Sequence, residues 1–507
     1  PFLINGVIPN SYDSSEVYFP EPFAFSIHDL GWMTGTNEGD TEGGKGPFRA
    51  GVDREFDVKD YEAIIAIAKE AGTRIRGMFV MCELDRLNVL KNYPTTTPGR
   101  EDWDNSIHVS KKQLDIIEYA KNNSKYLEFG LHGVCHGYWT DDGKMHPEWC
   151  KSKSEPWPVE SIRDHIQAMK QILAQYGLSQ VYGHSFPESF DAGNNSYYWN
   201  PNPQKDEYSL GELLKKEGTK YVSNDLSSYP AATNPPEGEN AGGFDYGILV
   251  LCKGGGGVPW YKYASLPEEP ADKQDCNMIR LHFPNFLAQD QFLQEDVNKE
   301  FISYYKKTQA IPERYVAKNT EQFYSQWLYQ QYSTVTVSPK NEVLIDNLGM
   351  PDVYYENGFL SNLVLKIRLN PGEHIETAEI NGESIAGYYE DQGFGFLYLP
   401  PLEKEKYLVK FRKGSHTQMP HIYNDETYNI YKFSHEEGAE TQFDIKLYGT
   451  QTIKLRNVTR KLPRQISSVS ENIKIEDVRF DKNQNELQLK VKAHNFQGER
   501  GVIHIGY

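Results

Sequence analysis

This chain of 507 residues has no concentration of positive charge: 53 lysines and arginines are outnumbered by 71 aspartates and glutamates, for a formal net charge of -18. Phosphate backbones are held by clustered Lys and Arg, so nucleic acid is excluded as a partner. No apolar run approaches the roughly 18 to 20 residues of a membrane span, and no transmembrane segment is expected. The opening PFLINGVIPNSYDSSEV lacks the charged-then-apolar pattern of a secretory leader. The expectation is an extracytoplasmic protein (periplasmic, surface or secreted) whose leader has been removed, with a cytoplasmic location as the alternative. Five cysteines, Cys82, Cys135, Cys150, Cys252 and Cys276, are too few and too scattered for a disulfide framework, and none forms a C-x-x-C pair. Cys135 is the one to test as a metal ligand, core packing being the ordinary use of such a residue. No internal repeat or low-complexity tract is present, and nothing bears on oligomeric state.

What is present is an alternation. Over the first 330 or so residues, short apolar runs alternate with helical segments, the pattern of parallel strands joined by crossover helices. Seven strands are expected: Phe23–Leu30, Ile75–Cys82, Tyr126–His132, Val181–Phe186, Lys220–Asp225, Ile248–Lys253 and Asn277–Phe283. Among the helices, VESIRDHIQAMKQILAQYG puts Ile162, Ile166, Met169 and Leu173 on one face, with Pro158 at its start and Gly177 suited to its end. Such a series fits a βα barrel or a wound sheet, and in both the functional groups gather at the C-terminal ends of strands. After TEQFYSQWLYQQY the text changes to alternating segments such as STVTVS, NLVLKIRL and GFGFLYLPPL, separated by Gly, Pro and Asn turns. That is a β-sandwich signal. The expected division is a catalytic domain over 1–333, a β-sandwich over 334–414 and a second β-rich domain over 415–507, so one or two β-sandwich domains follow the α/β part.

Three expected strands end in metal-binding groups, in the order Asp29, then His132 and His136, then His282. Two imidazoles and one carboxylate leave coordination positions open for water and substrate, which suits a divalent first-row ion. An H-x-x-x-H pair alone is more often surface or capping chemistry; joined to SIHDLG upstream and IRLH downstream it becomes a site.

These motifs resemble those of the polysaccharide deacetylases of the NodB homology type, carbohydrate esterase family four. SIHD (Ser26 to Asp29) is similar to the family's first motif T-F-D-D, HGVCH (His132 to His136) to its H-x-x-x-H motif and RLH (Arg280 to His282) to its late L-x-H. The resemblance covers about residues 20–330. It implies a distorted (β/α) barrel of about seven strands. It also implies one divalent metal, zinc first and cobalt or nickel as alternatives, held by Asp29, His132 and His136. The substrate it implies is an acylated carbohydrate, from which N- or O-acetyl groups are removed. His282 would then protonate the leaving group.

Two departures bear on the chemistry. Where the family has its base aspartate, this chain has His28. Adjacent strand residues point to opposite faces, so His28 and Asp29 can share a site only where the backbone turns. His28 is a catalytic base, since an imidazole of ordinary pKa about 6.5 suits that task. Or it is a ligand or a hydrogen-bond partner of Asp29. Or it marks a site that binds metal and sugar and turns over poorly. The family's Arg-Pro segment is replaced by YGHSFPESFD, in which Pro187 is present without a preceding arginine; His184, Glu188 and Asp191 are candidates for the vacant role. The expected activity is a metal-dependent deacetylase-like hydrolase. The alternatives are a degenerate relative that binds metal and glycan, and a metal-dependent amidohydrolase acting on a non-sugar amide. Asp40 and Asp53 are further candidates for a base. KGGGGVPW reads as a strand-end loop, lacking the G-K-[ST] of a phosphate loop. Trp32, Tyr138, Trp139, Tyr197, Tyr198 and Trp199 are candidates for stacking on sugar rings.

Overall fold

The computed structural model describes residues 16–32, 54–97, 104–179, 186–200, 208–225, 242–338, 340–460 and 462–507. Seven parallel strands close into a barrel: β1 Glu21–Leu30, β2 Ile75–Val80, β3 Leu127–Gly133, β4 Ser189–Phe190, β5 Tyr221–Asn224, β6 Ile248–Gly254 and β7 Met278–His282. Closure is made by β7 against β1, where His282 pairs with His28. Six of these strands lie where the alternation of the sequence places them. The fourth does not: β4 is the two-residue Ser189–Phe190, and of the expected Val181–Phe186 residues 181–185 lie outside the described residues.

Strand alternation divides the barrel into two environments. Phe23, Phe25 and Ile27 of β1 belong to the apolar cluster outside the barrel, where Phe25 meets Phe301 edge-on at 6.1 Å. The intervening Ser26 and His28 reach a buried polar network with Arg76, Asp191 and Ser223. The helices follow from their sequences. In α1, Val58–Ala71, Asp57 and Asp60 form a capping box and Gly72 ends the helix at φ 63°, a conformation glycine adopts without penalty. α2, Lys111–Asn122, starts on Ser110 with Gln113 in the same arrangement. α3, Val159–Gln175, follows Pro158 and buries Ile162, Ile166, Met169 and Leu173. α4, Leu210–Glu217, precedes β5, α5, Gln294–Ala310, packs on α1, and α6 is Thr320–Tyr332.

Beyond α6 the described chain is almost entirely strand, with one short helix at Asp352–Glu356. An eight-stranded sheet runs from Val17–Tyr18 through Leu363–Arg368 to Ile473–Asp481. Toward one end it shares an apolar cluster with a five-stranded sheet, through residues such as Val343, Ile345, Leu365 and Phe396. Toward the other it shares a second cluster with a four-stranded sheet, through Phe443, Ile445, Leu489 and Ile505. The arrangement is sandwich-like, as the alternating text implies.

A disulfide joins Cys252 of β6 to Cys276 just before β7. It is a single bridge, with Cys82, Cys135 and Cys150 free, and no framework of disulfides. Twenty-four residues separate the two, and only the adjacency of β6 and β7 in the barrel brings them together.

Candidate metal centre at the barrel mouth

Both ligand-bearing strands are irregular at the ligands. Between β1 and β2 the register runs from Ile27 opposite Gly77 to Leu30 opposite Phe79, so β1 has one residue too many at His28–Asp29. Asp29 is left-handed, with φ 64°. A bulge of this kind re-aims side chains, and it lets adjacent residues line one cleft. β3 repeats the device: Leu131 faces Phe79 and Gly133 faces Val80, placing the extra residue at His132. Gly133 is required there by close approach, because a Cβ on it would lie 2.2 Å from Glu148 Oε2. Glu148 in turn accepts from the Val134 backbone N–H at 2.8 Å and pairs with His165 at 2.9 Å. His136, at φ 61°, is also left-handed.

The result is a cluster. One ligand atom from each of Asp29, His132 and His136 lies within 4.8 Å of the others. His132 Nε2 is 3.4 Å and His136 Nε2 3.9 Å from Asp29 Oδ1, while His282 Nε2 is 3.8 Å from Asp29 Oδ2. Asp29 Oδ1 is buried and makes no hydrogen bond among the described residues. A buried oxygen left without a donor is costly, and the two imidazole nitrogens facing it, of His132 and His136, are suited to sharing a cation with it. His132 Nδ1 lies 2.7 Å from the Asp191 carbonyl oxygen. Its N–H therefore donates to the backbone and Nε2 keeps its lone pair toward Asp29, the usual arrangement of a ligating histidine.

The electrostatics agree with that use. Burial pushes the Asp29 carboxyl up, but the facing His132, His282 and His136 rings outweigh it and hold Asp29 ionised, well below the usual carboxylate range. Burial pushes His136 down to about 3 against the pull of Asp29. His282 is pushed down to about 4, by burial first and with Arg280 adding to it. At neutral pH Asp29 is therefore a carboxylate and His136 and His282 are neutral imidazoles, protonation states that suit a cation. The group could hold a metal ion.

His28 is placed differently. Its Nε2 lies 2.9 Å from Asp191 Oδ2, and it is not part of the cluster around Asp29. Asp191 also accepts from Ser223 N at 3.0 Å and Ser223 Oγ at 2.6 Å. Arg76 Nη1 and Lys253 Nζ stand 3.3 and 3.5 Å from its oxygens. Burial would raise the Asp191 carboxyl, but Lys253 and Arg76 hold it well below the ordinary range. The ionised Asp191 accepts a hydrogen bond from the Nε2–H of His28, so Nδ1 carries the lone pair. Burial and the nearby Lys253 hold the imidazole well below its usual pKa. It is neutral and able to accept a proton.

His28, the Asp29 cluster and His282 line a cleft of about 500 Å³ together with Trp32, Asn195, Trp260 and Arg280. Asn285 ties its rim together: its Oδ1 accepts from the His282 backbone N–H at 2.7 Å, and its Nδ2 donates at 2.8 Å to the carbonyls of Pro259 and Lys262.

Of the candidates for the place of the missing arginine, Asp191 lies in the site and Glu188 does not. Glu188 faces Lys446 at 3.2 Å and Lys220 at 3.6 Å. His184, Asp40 and Asp53 lie outside the described residues. Cys135 is not a ligand: it is buried in the outer apolar cluster beside Cys82, and burial pushes its thiol up. The expected sugar platforms are all buried, and Tyr138 stacks on Trp157 at 3.8 Å. Trp32 still borders the cleft, but the aromatic exposed there is Trp260, at 39%, within the segment read as a plain loop. Arg76 and Lys253 had no local signal, because each is one polar residue in an apolar strand, and Ser223 had none because serine in a short strand marks no chemistry.

No protein-family model and no curated protein matches the sequence. Among solved structures, the chain is similar to the catalytic module of a family 98 glycoside hydrolase from Streptococcus pneumoniae TIGR4, at 10% identity over 88% of this chain, with a TM-score of 0.14. The match spans 65% of that module, and a score so low carries no argument about fold or function.

Proposed function

We propose that this protein is a metal-dependent hydrolase that removes acyl groups, acetyl first, from a carbohydrate. The observation that carries the reading is the unpartnered Asp29 Oδ1 facing His132 and His136 Nε2, with His28 and His282 beside it. Asp29, His132 and His136 would hold one divalent cation, zinc first. Such a cation supplies Lewis acidity toward an acyl oxygen and water of lowered pKa near 7.

The chain's own residues supply the proton transfers. His28 Nδ1 accepts the proton of the attacking water, and Asp191, hydrogen-bonded to Nε2, stabilises the resulting imidazolium and holds the ring in place, as in a carboxylate–histidine pair. His282, whose ring centroid lies 5.7 Å from that of His28 on the neighbouring strand, is neutral in the free site and passes on to the departing sugar nitrogen or oxygen the proton that His28 took up. Trp260 offers a flat apolar face to a sugar ring. The Cys252–Cys276 bridge supports an extracytoplasmic location, where disulfides persist.

A second reading, glycan binding with little turnover, draws on the burial of His28 and its proximity to Lys253, both of which reduce its basicity. The two separate in one experiment. Zinc-loaded protein is incubated with acetylated oligosaccharides; acetate release that is lost on chelation and in His282→Ala supports the hydrolase. Metal-dependent binding without acetate release from any of them supports the binder and sinks the enzyme.

A further inference from the structure

Arg280 stands on β7 two residues before His282, on the same face of the strand, and both border the cleft. Its charge is not answered. The buried arginines Arg74, Arg76 and Arg314 each face a carboxylate. Arg280 has none among the described residues, in a chain with 71 acidic side chains. Its Nε is buried without a hydrogen-bond partner, and its Nη1 has only the Asn195 side-chain oxygen at 3.4 Å. The two buried aspartates of the site are engaged elsewhere, Asp29 with the imidazoles and Asp191 with Arg76, Lys253 and His28.

The chain also makes room for this guanidinium. A Cβ on Gly255 would lie 3.1 Å from Arg280 Nη2, tighter than an ordinary contact, so part of the glycine run after β6 keeps the fork clear. An unpaired, partly desolvated guanidinium is unfavourable unless an anion meets it. Its planar fork matches the two oxygens of a carboxylate.

We infer that Arg280 selects an acidic glycan, binding the carboxylate of a uronic-acid-type residue next to the acylated position. This rests on the carbohydrate reading above and narrows it. Arg280 contributes specificity, Trp260 sugar-ring contact and the Asp29 cluster the reaction centre.

The test uses full-length zinc-loaded protein and a panel of acetylated uronic-acid oligosaccharides, each beside its counterpart with the carboxyl reduced to an alcohol. Titration calorimetry gives Kd and acetate release gives kcat/KM. At least one acidic member should bind about 10- to 100-fold more tightly than its reduced counterpart, the range for one charge-assisted pair. Arg280→Gln should bring that ratio near one, and Arg280→Lys should retain part of it, with thermal melting used to verify that both variants fold. The inference is overturned if no acidic member outbinds its reduced form, or if Arg280→Gln leaves the preference intact. Acid preference without acetate release would sink the hydrolase and leave the selection by Arg280 standing. Acetate release from both forms alike would do the reverse.

Discussion

Asp191 and Asp29 are both buried aspartates at the mouth of one barrel, and the fold treats them in opposite ways. Asp191 receives a backbone N–H, a serine hydroxyl and an imidazole within 3.0 Å, with Arg76 and Lys253 close behind. Asp29 is surrounded by imidazole nitrogens at 3.4 to 3.9 Å, and its Oδ1 has no hydrogen bond among the described residues. One carboxylate is completed by the protein. The other is left incomplete and is the natural place for a ligand, since buried polar groups are otherwise satisfied. The difference separates a positioning group from a reaction centre more sharply than burial or residue type does.

The largest effect should come from the incomplete cluster. His132→Ala should lower zinc affinity by more than the roughly 10- to 100-fold that partners of metal ligands contribute, and acetate release should fall with it. Elemental analysis after dialysis checks this. Wild-type protein that stays empty after loading with Zn²⁺, Co²⁺ or Ni²⁺ would sink the metal centre.

His28→Ala should next lower kcat by about 10² to 10⁴ while zinc content is unchanged, the range for lost general-base assistance. If zinc is lost as well, His28 is a ligand. His28→Asp refines the result: improved turnover indicates a site that lacked a base, and reduced turnover indicates surroundings adapted to imidazole.

The two aspartates should then diverge in stability. Asp191→Asn leaves Arg76 and Lys253 buried without their counter-charge and should destabilise the protein by about 3 to 5 kcal/mol in denaturant unfolding. The folded Asp191 carboxyl is held below its unfolded value. Its contribution is therefore present above the ordinary carboxylate range and lost as pH falls, so wild type should lose stability on acidification more steeply than Asp191→Asn. Asp29→Asn in metal-free protein should cost less than Asp191→Asn, since the imidazoles that face Asp29 can be neutral and are not left as buried unpaired charges. Equal losses in the two variants would break the comparison.

Linkage to zinc tests the same comparison through a ligand. Zinc at 100 times its Kd should stabilise wild type by about 2.7 kcal/mol, and Asp29→Asn by much less. A zinc-induced shift of the same size in both proteins would show that the ion binds elsewhere.

The sequence by itself determined the βα alternation, six of the seven barrel strands, the helix between Pro158 and Gly177 and the change to β structure after Tyr332. All of these are written in local periodicity and turn chemistry, which a linear reading can follow. It also determined the order of Asp29, His132, His136 and His282, because strand ends are locally recognisable and these residue types are scarce there. The two-residue strand Ser189–Phe190 was not legible, since it is too short to carry a period. Only the tertiary structure decided that His28 meets Asp191 across 163 positions, that two bulges turn His28, Asp29 and His132 into one cleft, that Cys252 meets Cys276 and that Trp260 is the exposed aromatic among the described residues lining that cleft. Each of these depends on which strands become neighbours when the barrel closes, and closure is a property of the packed core rather than of any window of sequence.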